Sequence, residues 1–262
     1  MTDLERWAAH FIDDNRSRAD FTLPWNDANA PSLADAYKIQ DAVLEGLSRD
    51  RGPLGGYKVA ITAAPMQEMM GLTEPLGGLV HAGDIRSSPF NLSLAEFQTP
   101  AVEFEVTVRM GADVTPSDEP HTRRSIEPFV GEVITSFEIV DTRAGDLPKA
   151  GPLGLVADRC MCSGAVLGEG VSDWSGVDLS TCAVELEWNG EIIETGVTGA
   201  AMGHPFEGLA WVANHMGGRG RTLEAGQIVL TGSAFAPKPV AVGDEITYRI
   251  AGIGQASITV IA

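Results

Sequence analysis

Acidic and apolar side chains alternate in the run Val102–Val106, whose sequence is Val-Glu-Phe-Glu-Val. Successive side chains of a β-strand point to opposite faces of the sheet. In a strand, Glu103 and Glu105 therefore point to one face and the apolar side chains to the other. Two like charges on one strand face repel each other, so they need either solvent or a cation between them.

A second acidic run, Phe137–Asp141, is predicted to form another strand. Glu138 interrupts an otherwise apolar stretch there. If the two strands meet, three carboxylates converge in a site made of oxygen ligands, which suits Mg²⁺, Mn²⁺ or Ca²⁺. The alternative is that Glu103 and Glu105 lie on the solvated face of an antiparallel strand.

The net charge of the chain limits its partners. The chain has 262 residues and a formal net charge of −18 at pH 7. This charge argues against nucleic acid, whose phosphates require clustered Lys and Arg, and against anionic membrane surfaces. A bound divalent cation reverses the local field, so an anionic small-molecule substrate is not excluded. The hydrophobic content of 44% is that of an ordinary globular protein.

The cysteines and the N-terminus bear on the compartment. Cys160, Cys162 and Cys182 are too few for a disulfide framework, and we interpret them as buried structural thiols. The charged N-terminus is followed by no long apolar segment, which argues against a signal peptide. No stretch of about 18 apolar residues predicts a membrane span. We therefore expect a cytoplasmic location.

The hydrophobic pattern predicts a helical N-terminal segment followed by a β-rich body. Residues 1–50 carry apolar side chains at helical spacing, and a further helix is predicted at residues 205–216. Asn189-Gly190 lies between two apolar runs and predicts a hairpin. Strands are predicted at residues 101–110, 132–140, 182–188, 191–195, 227–231 and 245–260. The fold class expected is α+β.

Six groups of short motifs follow one another in an informative order. They are Ala36–Gln40, Gly56–Val59 with Glu74-Pro75, Pro100–Glu105, Glu138–Arg143, His204-Pro205 with Ala210–His215, and Leu230–Ser233. Together they resemble the 2-keto-4-pentenoate hydratase and 4-oxalocrotonate decarboxylase branch of the fumarylacetoacetate hydrolase superfamily. The resemblance covers nearly the whole chain.

This resemblance implies an α+β fold with a mixed β-roll or barrel-like body at residues 55–262. A small helical segment at residues 1–54 precedes that body, and both belong to one structural unit. The resemblance also implies a bound Mg²⁺ or Mn²⁺ with Glu103, Glu105 and Glu138 as ligands. A 2-oxo acid substrate, a homo-oligomer and a role in the degradation of aromatic rings are implied as well.

Hydratases of this branch add water to 2-hydroxypenta-2,4-dienoate and give a 4-hydroxy-2-oxo acid. The substrate's C1 carboxylate and C2 oxygen can chelate a metal, which stabilises the developing enolate. At least one proton-transfer group is also required. The resemblance therefore implies a metal-dependent hydro-lyase.

Lys58 is the first candidate for proton transfer, because it follows Tyr57 in an apolar strand and the family has a Lys here. A nearby metal and apolar walls would disfavour its charged form and help it exchange protons. It could instead pair with the substrate carboxylate, or be an edge-strand lysine that discourages aggregation.

Three residues are candidate substrate contacts. Thr231 and Ser233 flank a glycine, where hydroxyls and backbone N–H groups can bind a carboxylate, although an ordinary turn has the same sequence. Arg143 could contact the substrate, neutralise the acidic cluster or hold Asp141 in a structural ion pair.

The sequence departs from the hydratase pattern near the expected active site. Family hydratases carry an acid after Glu74-Pro75, where this chain has Leu76. A hydroxyl and a cation expected after Lys58 are also missing. The pocket is therefore less polar, and His81 or Asp84 could replace the missing acid.

These departures keep several functions open. A more apolar 2-oxo acid could be hydrated, or the same metal–enolate chemistry could serve decarboxylation. Acylpyruvate-type C–C hydrolysis is a further alternative, but residues 65–71 lack the His–Glu pair that activates water in such hydrolases. A non-catalytic partner subunit is the last alternative, and retention of all three glutamates argues against it.

Overall fold

The computed structural model describes residues 1–262. Its six α-helices are α1 (Asp3–Ser17), α2 (Leu33–Arg51), α3 (Ala64–Met69), α4 (Arg123–Ile126), α5 (Leu147–Ala157) and α6 (Pro205–Gly218). None of these helices combines the length and apolar character needed to cross a membrane.

The body of the protein consists of thirteen β-strands. The first seven are β1 (Leu54–Ala60), β2 (Leu76–His81), β3 (Ile85–Ser87), β4 (Phe90–Ser93), β5 (Pro100–Met110), β6 (Val130–Asp141) and β7 (Cys162–Val171). The remaining six are β8 (Ala183–Trp188), β9 (Glu191–Val197), β10 (Ile228–Ser233), β11 (Lys238–Pro239), β12 (Glu245–Ile250) and β13 (Gly254–Ile261).

The strands form two sheets. The larger sheet has eight strands in the order β2-β1-β10-β5-β6-β7-β3, with β11 also pairing with β5. Because β2 packs against β7 near the opposite end, this sheet curls on itself. The second sheet has five strands in the order β4-β13-β12-β8-β9. The predicted α+β class and barrel-like body are thus confirmed.

The apolar face of β5 lies in the main hydrophobic core, as the alternating pattern predicts. Val102, Phe104 and Val106 are buried there. The ring of Phe104 has its centroid 5.8 Å from that of Phe137 and 5.7 Å from that of Tyr248, which belongs to the second sheet. Packing of the two sheets therefore fixes β5 and directs its acidic side chains to the other, concave face.

The two N-terminal helices pack on each other and on the body. Thr2 caps α1 in a capping box with Glu5, and Ser32 caps α2. The buried Gln40 side chain donates hydrogen bonds to the carbonyls of Gly77 and Val156, at 2.8 and 2.7 Å. The helical segment expected at residues 1–54 is present, and its joining to the body as one unit stays a prediction.

Strands β2 and β7 were not predicted, because both are rich in glycine, a poor strand former. A Cβ on Gly168 of β7 would clash with the Gln255 carbonyl of β13. The glycine that weakens the strand pattern is therefore the one that lets the second sheet approach the first.

Candidate metal centre

The three glutamates converge on the concave face of the larger sheet. Strands β5 and β6 are antiparallel, and Glu103 lies directly opposite Glu138, with Glu105 opposite Ser136. Carboxylate oxygens of Glu103, Glu105 and Glu138 lie within 4.8 Å of one another. Glu105 and Glu138 are fully buried, whereas Glu103 is half-buried. The convergence expected from the sequence is therefore present.

The environment of these carboxylates is electrostatically unfavourable without a counter-charge. Burial, with the charges of Glu138 and Glu103, raises the pKa of Glu105 well above its ordinary value. Burial raises the pKa of Glu138 to about 7 against the opposing attraction of Lys58. Oε1 of Glu105 and Oε2 of Glu138 accept no hydrogen bond from the protein. Buried carboxylate oxygens without donors fit a hard divalent cation.

The segment after β10 holds Glu105 in place. Gly232, at a φ of 117°, donates its N–H to Glu105 Oε2 at 2.6 Å. Thr231 donates its hydroxyl to the Val106 carbonyl at 2.7 Å, and Ser233 donates to the Phe235 carbonyl at 2.8 Å. The carboxylate bound at this turn is thus Glu105, and both hydroxyls bond to main-chain carbonyls instead of facing a free pocket.

Lys58 lies in the same cluster. Its Nζ is 2.5 Å from Glu138 Oε1 and its side chain is only 3% exposed. Burial opposes its charge, but the carboxylates of Glu138 and Glu103 outweigh burial and hold the pKa of Lys58 above its ordinary value. In this arrangement without a cation, a carboxylate at ion-pair distance stabilises the ammonium. The expected disfavouring of the charged form beside a bound metal stays a prediction.

The neighbouring strand leaves room for Lys58 and forms an apolar wall. Gly78 lies opposite Lys58, and a Cβ there would be 2.6 Å from Lys58 Cγ. Leu76 is on the same strand face, two residues away, and is buried with Tyr37 and Met161. At the position where family hydratases carry an acid, this protein therefore has the buried apolar side chain of Leu76.

His81 is not brought to the carboxylate cluster. It lies at the end of β2 opposite Leu54, and its Nδ1 is 2.9 Å from the Gly52 carbonyl oxygen. Burial, aided by the charge of Arg159, lowers its pKa to about 4. Asp84 is equally remote and faces Arg51 at 3.4 Å. Neither side chain occupies the place of the missing acid, so the catalytic role predicted for His81 gains no support from its position.

Arg143 forms a structural ion pair, but with Asp158 and not with Asp141. Its Nη2 lies 2.9 Å from Asp158 Oδ2, and its guanidinium stacks 5.8 Å from the centroid of Phe21. Asp141 is not its ionic partner, because that carboxylate accepts the N–H groups of Gln98 and Thr99. Arg143 lines a separate cavity and does not face the three glutamates.

One element of the site was missed by sequence reasoning. Arg159, Cys160 and Met161 all have φ between 55° and 59°, a left-handed turn that is rare for residues other than glycine. The turn places the Cys160 carbonyl 3.5 Å from Lys58 Nζ. Cys160 and Cys162 are free and buried, as expected, and no sequence signal marks the turn.

Comparison with known proteins identifies relatives of the whole chain. The family model described as "Fumarylacetoacetate (FAA) hydrolase C-terminal" matches residues 65–261. A 2-hydroxyhexa-2,4-dienoate hydratase from Comamonas testosteroni is 30% identical over 87% of this chain and 86% of its own. A 4-oxalocrotonate decarboxylase from Pseudomonas putida is 30% identical, with 88% of this chain and 87% of that protein covered.

Comparison with solved structures agrees with the comparison of sequences. The 4-oxalocrotonate decarboxylase from Pseudomonas putida G7, complexed with magnesium and adipate, is 28% identical with a TM-score of 0.90 and covers 100% of this chain and 99% of its own. Fumarylpyruvate hydrolase from Pseudomonas aeruginosa, in complex with Mn²⁺ and pyruvate, has a TM-score of 0.57 at 17% identity. The match covers 78% of this chain and 88% of that protein, and it supports only the fold of this chain. The chain therefore belongs to the fumarylacetoacetate hydrolase family, in the branch of the 2-keto-4-pentenoate hydratases and 4-oxalocrotonate decarboxylases.

Proposed function

We propose that this protein is a divalent-metal-dependent hydro-lyase that adds water to 2-hydroxypenta-2,4-dienoate-type substrates and gives 4-hydroxy-2-oxo acids. The observation that carries the proposal is the convergence of three carboxylates beside Lys58, in a chain 30% identical to a 2-hydroxyhexa-2,4-dienoate hydratase. The function has its natural place in the degradation of aromatic rings.

Glu103, Glu105 and Glu138 are the residues that would hold Mg²⁺ or Mn²⁺. The oxygens of Glu105 and Glu138 that accept no hydrogen bond would serve as metal ligands, and the Gly232 N–H keeps Glu105 oriented. When bound, the cation would supply positive charge for the C1 carboxylate and C2 oxygen of the substrate and stabilise the negative charge that develops there.

Lys58 is the candidate for proton transfer. Hydration moves a proton from the C2 hydroxyl to the carbon chain before water adds, so a proton-exchanging group is needed beside that oxygen. Lys58 holds a proton at Nζ, 2.5 Å from Glu138. The Cys160 carbonyl accepts from the same Nζ at 3.5 Å and helps orient it.

The apolar wall bears on the substrate's tail. Leu76 extends the strand face that carries Gly78, next to Lys58, and is buried. A hydrocarbon wall excludes water and favours an apolar group over a charged one at the distal end of the substrate. We therefore propose that 2-hydroxyhexa-2,4-dienoate, with its terminal methyl group, is a better substrate than a dienoate with a second carboxylate.

A metal-dependent activity assay tests the proposal. The protein is stripped with a chelator, and Mg²⁺ or Mn²⁺ is then restored. Loss of the dienol absorbance of 2-hydroxypenta-2,4-dienoate and of 2-hydroxyhexa-2,4-dienoate is followed, and the products are identified by mass spectrometry. We expect metal-dependent gain of one water, and its loss in Lys58→Met but not in Lys149→Met, which changes an exposed lysine. Near-normal turnover by Lys58→Met would remove Lys58 from the mechanism.

Decarboxylation of a 4-oxalocrotonate-type acid is the second candidate. It is favoured by the near-complete structural overlap with the decarboxylase and by the absence of an acid at Leu76. Release of CO₂ from 4-oxalocrotonate without hydration of either dienoate would replace the main proposal with this one. C–C hydrolysis is less favoured, because α3 carries Gln67-Glu68 and no histidine. A non-catalytic subunit is disfavoured by the intact carboxylate cluster.

We further propose that the protein is a cytoplasmic homo-oligomer. Its three cysteines are free thiols, as in a reducing compartment. Strand β9 is an unpaired sheet edge, and its Ile192, Ile193 and Val197 are 56%, 48% and 42% exposed. Exposed apolar edges of this kind are commonly covered by another chain. Light scattering after size exclusion measures the mass in solution.

A further inference from the structure

A second cavity lies outside the metal centre. Its volume is about 120 Å³, well above the roughly 10–15 Å³ needed for one water. Neither Lys58 nor any of the three glutamates lines it. It lies where the end of α1 meets β3, β4 and the end of β6, and no proposed step of the reaction uses it.

Arginines dominate the lining of this cavity. Arg18, Arg51, Arg86 and Arg143 contribute four of the chain's 18 basic residues, although the chain as a whole carries a net charge of −18. They come from four separate parts of the sequence, so the fold gathers them. Arginine side chains bind carboxylate and phosphate oxygens in pairs, through the parallel N–H groups of the guanidinium.

Three acids share the lining, and they leave two of the four arginines without an ionic partner. Asp141 accepts main-chain N–H groups with both of its oxygens. Asp84 faces Arg51 at 3.4 Å, and Glu96 lies exposed at the rim. Asp158 pairs with Arg143 from behind the wall, so the carboxylates at the cavity equal the arginines in number, but no acid engages Arg18 or Arg86.

Arg143 gives an independent indication of a ligand. Its side chain is only 5% exposed, and Asp158 engages one end of its guanidinium. The Nε–H is buried and has no hydrogen-bond partner in the protein. A buried, unpartnered charged donor is costly unless something accepts from it. The Ser163 hydroxyl lies in the same wall and offers a further donor.

We propose that this cavity binds a small anion with at least two acidic oxygens, of the carboxylate or phosphate class. The ligand bridges Arg143 and Arg86, with Arg18 and Arg51 closing over it from the rim. Dicarboxylates and phosphate esters share this chemistry, and the two classes are separated by the choice of probe.

Calorimetric titration of the Mg²⁺-loaded protein with malonate and with inorganic phosphate tests this site. Arg86→Gln removes a guanidinium that has no ion pair to break, so we expect the fold to persist. The affinity for the anion should fall by about tenfold or more. Arg124→Gln makes the same charge change at an exposed position and should leave the affinity unchanged. Stronger binding of malonate identifies a dicarboxylate site, and stronger binding of phosphate identifies a phosphate site.

Malonate also chelates divalent cations, so its binding is measured again after chelator treatment. Binding that persists without metal and weakens in Arg86→Gln supports the cavity. Binding of neither probe, or binding that Arg86→Gln leaves unchanged, overturns the proposal. Arg18→Gln, at the exposed rim, provides a second variant if Arg86→Gln fails to fold.

Discussion

Glu105 combines the features of the whole metal centre in one side chain. One of its oxygens accepts the Gly232 N–H at 2.6 Å, and the other has no partner. Burial and two neighbouring carboxylates raise its pKa well above the ordinary value, so without a cation the charged form is disfavoured. A bound cation reverses this preference, which makes metal binding and proton release coupled events.

Replacement of this carboxylate by an amide separates metal binding from folding. We expect Glu105→Gln to weaken Mn²⁺ binding by roughly 100-fold or more, since even groups behind the ligands contribute about 10–100-fold. Without metal, the free energy of unfolding should stay equal or rise, because the amide oxygen keeps the Gly232 hydrogen bond and replaces a carboxyl group whose charged form is disfavoured by burial. Calorimetry and urea unfolding measure the two effects. Glu132→Gln, at an ion pair outside the cluster, is the control, and equal Mn²⁺ affinity in both variants would disprove the ligand assignment.

The convergence of the proposed metal ligands could be predicted from the sequence, because alternation within one strand already places Glu103 and Glu105 together. The partners of Thr231 and Ser233 could not, since the Val106 and Phe235 carbonyls are assigned only by the fold. The direction of the Lys58 pKa shift without a cation could not be predicted either. It depends on the distance between Lys58 and Glu138, which the sequence does not contain.

At the scale of elements, strand β2 limits the space beside Lys58. A Cβ on Gly78 would lie 2.6 Å from Lys58 Cγ and 2.7 Å from the Arg159 carbonyl oxygen. We expect Gly78→Ala to lower the free energy of unfolding by about 1–3 kcal/mol through overpacking, and to displace Lys58. Urea unfolding measures the loss, and Gly176→Ala, where a Cβ meets nothing within 4 Å, should change little. Equal stability of the two variants would contradict the packing argument.

The other end of β2 makes stability depend on pH. His81 titrates near 6.5 when unfolded, but burial and the charge of Arg159 lower its folded pKa to about 4, with Arg51 adding to the shift and Asp84 opposing it. The unfolded chain therefore binds more protons between these values. The stabilisation is present above pH 6.5 and is lost as the pH falls toward 4.

His81→Gln should remove this dependence, so that the difference in unfolding free energy between wild type and variant shrinks as the pH falls from 7.5 to 5. Chemical unfolding at both pH values measures that difference. A difference that is constant with pH would show that folding does not shift the pKa of His81.

Helices and strands with regular apolar spacing were predicted well. Strands whose glycines allow a neighbouring strand to pack closely were not. Helix α6 and strand β5 carry complete apolar patterns, and both occur at nearly the predicted bounds of residues 205–216 and 101–110. Strands β2 and β7 contain glycines that only their neighbours explain. A glycine required by contact with a distant strand weakens the local signal of its own strand.

At the scale of the whole molecule, the N-terminal helices are joined to the catalytic body through buried polar contacts. Asn15 of α1 donates to Asp158 at 2.8 Å and accepts from Arg159 at 2.7 Å, next to the turn that faces Lys58. Gln40 of α2 bonds to Gly77, beside Gly78. The helices are thus attached to the two segments that surround Lys58, and their loosening would disturb the site.

We therefore expect the chain to unfold in a single transition, without separate melting of residues 1–54. Fluorescence dominated by tryptophans, two of which lie in this segment at Trp7 and Trp25, should follow the same curve as far-ultraviolet circular dichroism.

Gln40→Ala should lower the free energy of unfolding by about 1–3 kcal/mol, because two buried carbonyls lose their donor. Gln255→Ala, at an exposed position, should not lower it. Mg²⁺ at 100 times its dissociation constant should add about 2.7 kcal/mol to the whole transition. Two resolved transitions, with only the later one shifted by Mg²⁺, would show that the helices and the body are independent domains.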